Sequence, residues 1–315
     1  MKADLSVKKY FTTIIAVFLF LSSFCFAETK IVTTIFPIYD WVREITGSEQ
    51  KNAEITLLIK NGVDLHSYQP SIKDIAKISS ADIFIYVGGE SDEWVQDVLK
   101  NVESSSLKTI CLMEALGNRA KAEESVEGMQ LEEDEEIEYD EHIWLSLQNA
   151  ELLCKEICQK LCQADSINER IYKENYSSYA KKLQKLDSEY ESAVQNAGTN
   201  TLLFGDRFPF RYLTDDYGLK YYAAFKGCSA ESEASFETIV FLSRKLDELG
   251  LKSVCQTESS NGKIARTIIQ SSNNKNAKVL TLDSMQSTTT GDIKKGATYL
   301  GVMQKNLEVL KEALK

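Results

Sequence analysis

The sequence predicts an α/β fold of two lobes, each a parallel sheet flanked by helices, joined by one long rigid linking helix. Short apolar runs rich in β-branched residues alternate with helical patterns in both halves of the chain, as in parallel βαβ units. A segment without glycine or proline, 165–196, separates the halves, and as a helix it would reach about 45 Å at about 1.5 Å per residue. A coiled-coil arm is the alternative, but a strut between lobes is favoured because each flank is α/β.

Each half supplies its own strands and helices. In the first half, strands are predicted at 30–36, 55–60, 81–88 and 107–113, with helices at 39–46, 72–78 and 93–101. In the second half, strands are predicted at 201–205, 219–225, 251–257 and 277–282, with helices at 235–249, 262–270 and 293–314. Gly250 directly follows the helix at 235–249, where a helix stop is expected.

The first 27 residues form a segment apart from the fold. A basic start precedes a short apolar run that ends in the small residue Ala27, as in a secretory signal peptide. The run is shorter than the about 20 residues of a membrane span, so an uncleaved anchor is a lesser alternative. A second lesser alternative is lipid attachment at Cys25. We therefore expect an exported, periplasmic protein, free or tethered as a lipoprotein, with a signal peptide at 1–27, lobes at 28–163 and 198–315, and a linking helix at 164–197.

The charge balance excludes two classes of partner. The chain has 36 Lys and Arg against 47 Asp and Glu, a net charge of −11, whereas nucleic acids and anionic membranes require a basic face. The acidic residues concentrate in a predicted loop at 122–141, which is either a solvated loop without a role or a weak collector of cations. Its densest part comprises Glu132, Glu133, Asp134, Glu135 and Glu136.

The cysteines of the mature chain fall into two groups. Cys154, Cys158 and Cys162 form one stripe of a predicted helix, which is either a soft-metal site or a buried face. The buried face is favoured, because no histidine accompanies them and closed thiolate sites usually have four ligands. Cys228 and Cys255 are the better candidates for a disulfide in an exported chain, although the sequence does not establish the pairing.

The chain contains only two histidines, and both have distinctive surroundings. His66 follows the predicted strand at 55–60, and ligand sites of open α/β sheets lie beyond the carboxyl ends of strands. His142 directly follows the acidic run. Two neutral imidazoles suit zinc, copper, nickel or iron, and together with carboxylates they also suit manganese. The alternative for each is a structural histidine satisfied by hydrogen bonds.

Several segments resemble the metal-specific substrate-binding proteins of bacterial ABC importers, the zinc and manganese class. They are DLHSYQPSIKDI, ADIFIYVGGESDEWV, DEHIWLSLQNA and TTIFPIYDWVREITG, with Tyr217-Gly218-Leu219 in the second half. The resemblance covers nearly the whole mature chain. It implies two α/β lobes joined by one long helix, a metal ion between the lobes, a monomeric receptor, and an ABC permease with its ATPase subunit as partners.

The resemblance also implies a ligand set. His66 and His142 match the first two family ligands, and the third falls at Gly205, which has no side chain to coordinate. The adjacent Asp206 either takes that role or pairs with Arg207 or Arg211. The fourth position falls at Asp283, whose alternative role is a helix or turn cap. A further carboxylate at a strand end, Glu258, either binds the metal or makes a salt bridge or lobe-interface hydrogen bond.

We therefore expect a receptor that captures Zn²⁺ and delivers it to a permease, rather than an enzyme, because such a site leaves no open coordination position. Manganese or ferrous iron is the alternative within the class, since a carboxylate in place of a third histidine favours harder ions. An exported zinc hydrolase is disfavoured by the absence of an HExxH motif. An adhesin, a role credited to some family members, has no residue here that supports it. The sequence also has no phosphate-binding GxxxxGK[ST] motif, so ATP use would belong to partner subunits.

Overall fold

A computed structural model describes residues 28–47, 53–102, 106–129, 138–229 and 233–315. The predicted signal peptide and the acidic residues Glu132 to Glu136 lie outside the described residues. Within the described ranges, no helix has the length and apolar character that a membrane crossing requires.

The first half folds into a four-stranded parallel sheet of order β2-β1-β3-β4. The two central strands carry mostly apolar residues that are buried between flanking helices, as parallel sheets require, whereas the two edge strands are more exposed. The strands are β1 (Thr29–Thr33), β2 (Ala53–Leu57), β3 (Ile83–Tyr86) and β4 (Lys108–Cys111). The helices of this half are α1 (Phe36–Thr46), α2 (Ile72–Ser79), α3 (Trp94–Lys100) and α4 (Leu112–Leu116).

The second half repeats this topology, with four parallel strands in the order β6-β5-β7-β8. Two such sheets flanked by helices confirm the predicted α/β fold class. The strands are β5 (Thr201–Phe208), β6 (Lys220–Lys226), β7 (Ser253–Thr257) and β8 (Lys278–Leu282). Beyond the helix pair α5 (Leu147–Ala164) and α6 (Glu169–Gln195), the helices are α7 (Arg211–Asp216), α8 (Phe236–Glu248), α9 (Lys263–Ser271), α10 (Thr290–Lys294) and α11 (Tyr299–Ala313).

A long helix lies between the two halves, where the glycine-free segment predicts one. Helix α6 has 27 residues, which is about 40 Å of helix, and it packs on α5, α1 and α11. Its buried face is built largely from tyrosine and leucine side chains, among them Tyr172, Leu183 and Tyr190. The division of the chain into two lobes and a linking helix at residues 164 and 197 stays a prediction.

The C-terminal helix returns to the first half of the chain. The single helix predicted over 293–314 is instead two helices, because the chain turns at Gly296, whose φ of +91° is unfavourable for other residues. The backbone N–H of Tyr299 then donates to Asp40 at 2.7 Å, and its hydroxyl donates to the carbonyl of Trp144 at 2.7 Å. Its ring also packs edge-on against Trp41, with centroids 5.2 Å apart. One hydrophobic core therefore runs through both halves.

The cysteine predictions have two outcomes. Cys154, Cys158 and Cys162 are buried on the inner face of α5 within the main core, in agreement with the favoured interpretation. The disulfide between Cys228 and Cys255 is not formed, and both thiols are free. Cys255 lies on the central strand β7, where its side chain is enclosed in the core, whereas Cys228 follows the edge strand β6.

Candidate metal centre

His66 lies on a short 3₁₀ turn, Leu65–Ser67, beyond the carboxyl end of β2. The carboxylate of Asp64 caps this turn by accepting the backbone N–H of His66 at 3.1 Å. The imidazole Nδ1 lies 2.7 Å from the Ser91 hydroxyl and 3.5 Å from Oε2 of Glu141. Glu141 in turn accepts the backbone N–H of Ser91 at 2.8 Å. These contacts hold the Nδ1 side of the ring and leave Nε2 directed away from them.

His142 is fully buried at the start of the 3₁₀ turn Ile143–Leu145. Oδ1 of Asp140 lies 2.8 Å from the backbone N–H of His142 and 2.9 Å from its Nδ1, and accepts a hydrogen bond from each. The consecutive residues Asp140 and Glu141 thus place one carboxylate on the Nδ1 side of each histidine. A carboxylate in that position selects the tautomer whose Nε2 is free to bind a metal ion, and it increases the basicity of that nitrogen.

The two free nitrogens face each other. The Nε2 atoms of His66 and His142 are 3.2 Å apart, with ring centroids 5.2 Å apart and ring planes at 58°. In a tetrahedral site with Zn–N bonds of about 2.0–2.1 Å, two nitrogen ligands lie about 3.3 Å from each other. The observed separation is within about 0.1 Å of the spacing that a shared zinc ion would impose.

Two further polar groups complete the surroundings of the pair. One ring nitrogen of each histidine and the Sγ of Cys228 all lie within 4.8 Å of one another. The amide Nε2 of Gln286 lies 3.1 Å from Nε2 of His142, while its Oε1 is buried without a hydrogen-bond partner. A rotation of this amide by about 180° exchanges its two terminal atoms and directs the oxygen toward the histidine pair. The site therefore offers nitrogen and sulphur donors and, after this rotation, an amide oxygen.

The site opens into a cleft of about 1040 Å³ between the two sheets. The Arg207 guanidinium crosses this cleft, with an ion pair of 2.9 Å to Asp64 and a hydrogen bond of 3.4 Å to the carbonyl of Ser229. It thereby connects the His66 loop of the first half with the Cys228 loop of the second. A β-bulge in β5 falls just before Arg207 and directs its side chain into the cleft.

The pKa values of the two histidines shift in opposite directions. Burial, together with the nearby His142, lowers the pKa of His66 to about 4, so its ring is neutral at neutral pH. Burial also acts to lower the pKa of His142. The charge and hydrogen bond of Asp140, together with a smaller effect of the Glu141 charge, outweigh it and raise the pKa overall. Burial and then the charge of Glu123 raise the pKa of the Cys228 thiol.

A family model described as zinc-uptake complex component A, periplasmic, matches residues 31–313. The chain belongs to this family. It is similar to the zinc-binding protein AdcA of Streptococcus pyogenes serotype M3, with 29% identity over 294 residues that cover 90% of this chain and 56% of AdcA. The high-affinity zinc uptake system protein ZnuA of Bacillus subtilis is 29% identical over 295 residues, covering 91% of this chain and 88% of ZnuA.

A solved structure shows the same fold. The Zn(II)-bound ZnuA-like domain of AdcA from Streptococcus pneumoniae superimposes with a TM-score of 0.72 at 29% identity, and the match covers 91% of this chain and 99% of that domain. The chain spans about half the length of the AdcA relatives that it matches, so its similarity to them lies within one part of those proteins.

Gly205 and Asp206 do not provide a donor beside the histidine pair. A Cβ at position 205 would lie 2.6 Å from the Cα of Ala265, so the close approach of β5 to α9 requires glycine there. Oδ2 of Asp206 accepts the backbone N–H and the hydroxyl of Thr257, at 2.9 and 2.5 Å, at the end of β7. Its other oxygen accepts the backbone N–H of Arg207 at 2.9 Å, and its carboxylate faces neither arginine side chain named as a possible partner.

Asp283 and Glu258 lie at the base of the loop that carries Gln286. Asp283 accepts the backbone N–H of Met285 at 2.8 Å, which is the turn cap named as its alternative role, and burial raises its pKa to about 6. Glu258 accepts four hydrogen bonds from backbone and hydroxyl groups of residues 284 and 287. Both carboxylates therefore fix the loop, including the unusual φ of +65° at Met285, and so position the Gln286 amide.

The described parts of the acidic loop lie against the site. Ala122 pairs with Tyr139 across the base of the loop. Glu123 accepts the backbone N–H of Cys228 at 2.9 Å, and Glu124 forms an ion pair of 2.9 Å with Arg211. This stretch of the first half thus attaches to the second half beside the metal centre. Cation collection by Glu132 to Glu136 stays a prediction.

Several groups of the centre do not stand out in the sequence. Cys228 is predicted there only as a disulfide partner, and Gln286 carries no prediction. Asp140 and Glu141 count only as members of the acidic run. One signal is available for Cys228. It follows the edge strand β6 of the second sheet, just as His66 follows the corresponding edge strand β2 of the first sheet. A superposition of the two predicted halves would identify this correspondence.

Proposed function

We propose that this protein is an extracytoplasmic receptor that captures Zn²⁺ at the His66–His142 pair and delivers it to an ABC permease driven by a separate ATPase subunit. One observation carries the proposal: the two Nε2 atoms stand 3.2 Å apart while hydroxyl and carboxylate groups hold both Nδ1 sides. That arrangement suits a cation, because two imidazole nitrogens already face each other at a separation that a shared ion would require. The family membership and the zinc-binding names of the relatives support the same conclusion.

The donors around the pair favour zinc over manganese or ferrous iron. Manganese prefers oxygen donors, whereas imidazole and thiol groups suit zinc. The argument for a harder ion depended on Asp206 as a ligand, and its carboxylate is directed to Thr257 instead. Asp140 and Glu141 face the Nδ1 atoms and so act on the ligands rather than on the ion.

The fold also suits capture followed by release. The histidines belong to the first half of the chain and Gln286 belongs to the second, so a small separation of the halves would remove donors from the ion. The Arg207–Asp64 ion pair and the core that joins the two halves restrict this separation to a small movement. We place the protein outside the cytoplasmic membrane, with its N-terminal signal at 1–27, as a monomer that is either free or lipid-anchored.

A competitive titration tests the proposal. The chelator-stripped mature protein is titrated with Zn²⁺ and Mn²⁺ as wild type, His66→Ala and His142→Ala, with Asp206→Asn as the matched control from the same cleft. We expect one tight zinc equivalent that is lost in both histidine variants and kept in Asp206→Asn, with much weaker manganese binding throughout. Wild-type zinc affinity in either histidine variant, or tighter manganese than zinc, would overturn the proposal.

A further inference from the structure

Cys228 is held against the histidine pair by its backbone. Its N–H donates to Glu123 at 2.9 Å, which ties the loop after β6 to the first half of the chain. At the preceding residue, Gly227, a Cβ would lie 3.2 Å from Cε1 and Nδ1 of His142 and 3.0 Å from a backbone oxygen. A larger residue at position 227 would therefore push the loop away from the imidazole. Glycine brings the Cys228 backbone within reach of the centre.

The centre also lacks a donor from the neighbouring strand. Family resemblance places the third ligand at Gly205, but a Cβ there would lie only 2.6 Å from the Cα of Ala265, which excludes any side chain at that point. The carboxylate of Asp206, the adjacent residue, accepts hydrogen bonds from Thr257 and from the Arg207 backbone. Among the described histidine, cysteine and acidic side chains, the thiol of Cys228 joins the two imidazoles in a group with metal-binding spacing.

We propose that Cys228 provides a thiolate as the third protein ligand of the captured ion, in a site completed by the amide oxygen of Gln286. The inference rests on the proposed zinc-receptor function and specifies its ligand set. In a tetrahedral site with a Zn–S bond of about 2.3 Å, the sulphur lies about 3.6 Å from each nitrogen ligand. The sulphur and one ring nitrogen of each histidine already lie within 4.8 Å of one another, so a shift of about 1 Å would bring them to this spacing.

The thiolate has a chemical consequence for selectivity. Coordination replaces the thiol proton of Cys228 by the ion and releases one proton to solvent, so no oxidant or reductant takes part. A sulphur donor favours zinc and cadmium over manganese, which a site built of imidazoles and carboxylates does not do to the same extent. Cys228 is therefore the residue that sets the discrimination between these ions.

Thiolate coordination has a spectroscopic signature that histidine coordination lacks. The stripped mature protein is titrated with Cd²⁺ and with Co²⁺ while sulphur-to-metal charge-transfer absorption is followed in the ultraviolet. The proteins are wild type, Cys228→Ser, Cys228→His and, as a matched thiol control remote from the cleft, Cys162→Ser. We expect a charge-transfer band that saturates at one equivalent in wild type and Cys162→Ser and is absent from both Cys228 variants.

Zinc affinity and thiol alkylation provide independent readouts. Cys228→Ser should lower zinc affinity by more than the roughly 10–100-fold typical of substitutions outside the ligand set, and Cys228→His should restore part of it. One equivalent of zinc should also protect Cys228 from iodoacetamide in wild type, whereas the half-buried Cys111 should react equally with and without zinc.

The outcomes separate this inference from the function on which it rests. One equivalent of metal bound through the histidines without a charge-transfer band, and with Cys228 unprotected, would overturn the thiolate ligand and leave the receptor function standing. Failure of the folded wild type to bind zinc, cadmium or cobalt would overturn both. A band that persists in Cys228→Ser would assign the sulphur to another cysteine and refute the proposal.

Discussion

The carboxylate of Asp140, which hydrogen-bonds to His142, can be changed stepwise to test how the two histidines are positioned for metal binding. Oδ1 of Asp140 is buried and accepts two hydrogen bonds from His142, at 2.8 and 2.9 Å. A hydrogen bond to a charged group contributes about 1.5–3 kcal/mol, and about 1.4 kcal/mol is a tenfold change in affinity. Asp140→Asn keeps an acceptor but loses the charge, so we expect a loss of about tenfold in zinc affinity.

Two further substitutions extend this test. Asp140→Ala removes both hydrogen bonds and the control of the tautomer. It should lower zinc affinity by about 100-fold, the upper end for a group that hydrogen-bonds to a metal ligand. Glu141→Gln should lower zinc affinity less than Asp140→Asn does. The carboxylate of Glu141 is 3.5 Å from Nδ1 of His66, and a serine hydroxyl already binds that nitrogen at 2.7 Å. The expected order of affinity is therefore wild type, Glu141→Gln, Asp140→Asn and Asp140→Ala.

The assay is competition against a chelator of known zinc affinity, with circular dichroism and thermal unfolding of each metal-free variant as controls for folding. Asp165→Asn, which changes a partly buried carboxylate between α5 and α6 that does not line the cleft, serves as a matched control. A folded Asp140→Ala protein with wild-type zinc affinity would refute the reasoning, because His142 would then need no carboxylate to present its Nε2.

Three other predictions concern the scaffold. Gly205→Ala should lower the free energy of unfolding by about 1–3 kcal/mol, because its Cβ would lie 2.6 Å from the Cα of Ala265. The free energy is measured by denaturant titration, and an unchanged midpoint would contradict this packing. Arg207→Ala removes a partly exposed ion pair and should speed zinc dissociation by less than about fivefold, the equivalent of about 1 kcal/mol. The dissociation rate is measured by stopped-flow mixing with an excess of chelator. Slower or unchanged dissociation would contradict a role of Arg207 across the cleft. Burial raises the pKa of Asp40 from 3.8 to about 6, so the contribution of this carboxyl group to stability falls as pH rises through that interval. Asp40→Asn should therefore be more stable than wild type by about 3 kcal/mol at pH 7, since each pKa unit corresponds to about 1.4 kcal/mol. This advantage should disappear near pH 4. An advantage that grows as pH falls would contradict the raised pKa of Asp40.

The fold was largely predictable because its local signals agree with one another. Buried β-branched runs alternate with helical patterns in both halves, and such alternation leaves few arrangements other than parallel βαβ units. The order of strands in each sheet does not follow from that pattern, since it depends on which helix covers which face. The two-helix C-terminus was missed because apolar periodicity resumes beyond Gly296, and the turn there depends on one residue with φ of +91°.

The candidate centre was predictable only in part. His66 and His142 stood out because the chain has no other histidine and because each lies in a motif of the family. The carboxylates Asp206, Glu258 and Asp283 were ambiguous, since an acidic residue after a strand caps a turn as readily as it binds an ion. In the structure their hydrogen bonds go to neighbouring loops and strand ends.

The remaining donors are brought together by tertiary structure alone. Cys228 and Gln286 come from different strand ends of the second half and meet the histidines only when the two sheets face each other across the cleft. Neither residue type is diagnostic in isolation: a cysteine in an exported chain suggests a disulfide, and a glutamine suggests an exposed loop. Their significance depends on distances between segments that are remote in sequence.

The most direct measurement is a crystal structure of the zinc-loaded mature protein with anomalous diffraction data collected across the zinc absorption edge. We predict one anomalous peak between the two sheets, about 2.0–2.1 Å from Nε2 of both His66 and His142. A peak that lies away from this pair, or a loaded protein whose zinc sits on the acidic loop instead, would contradict the central claim.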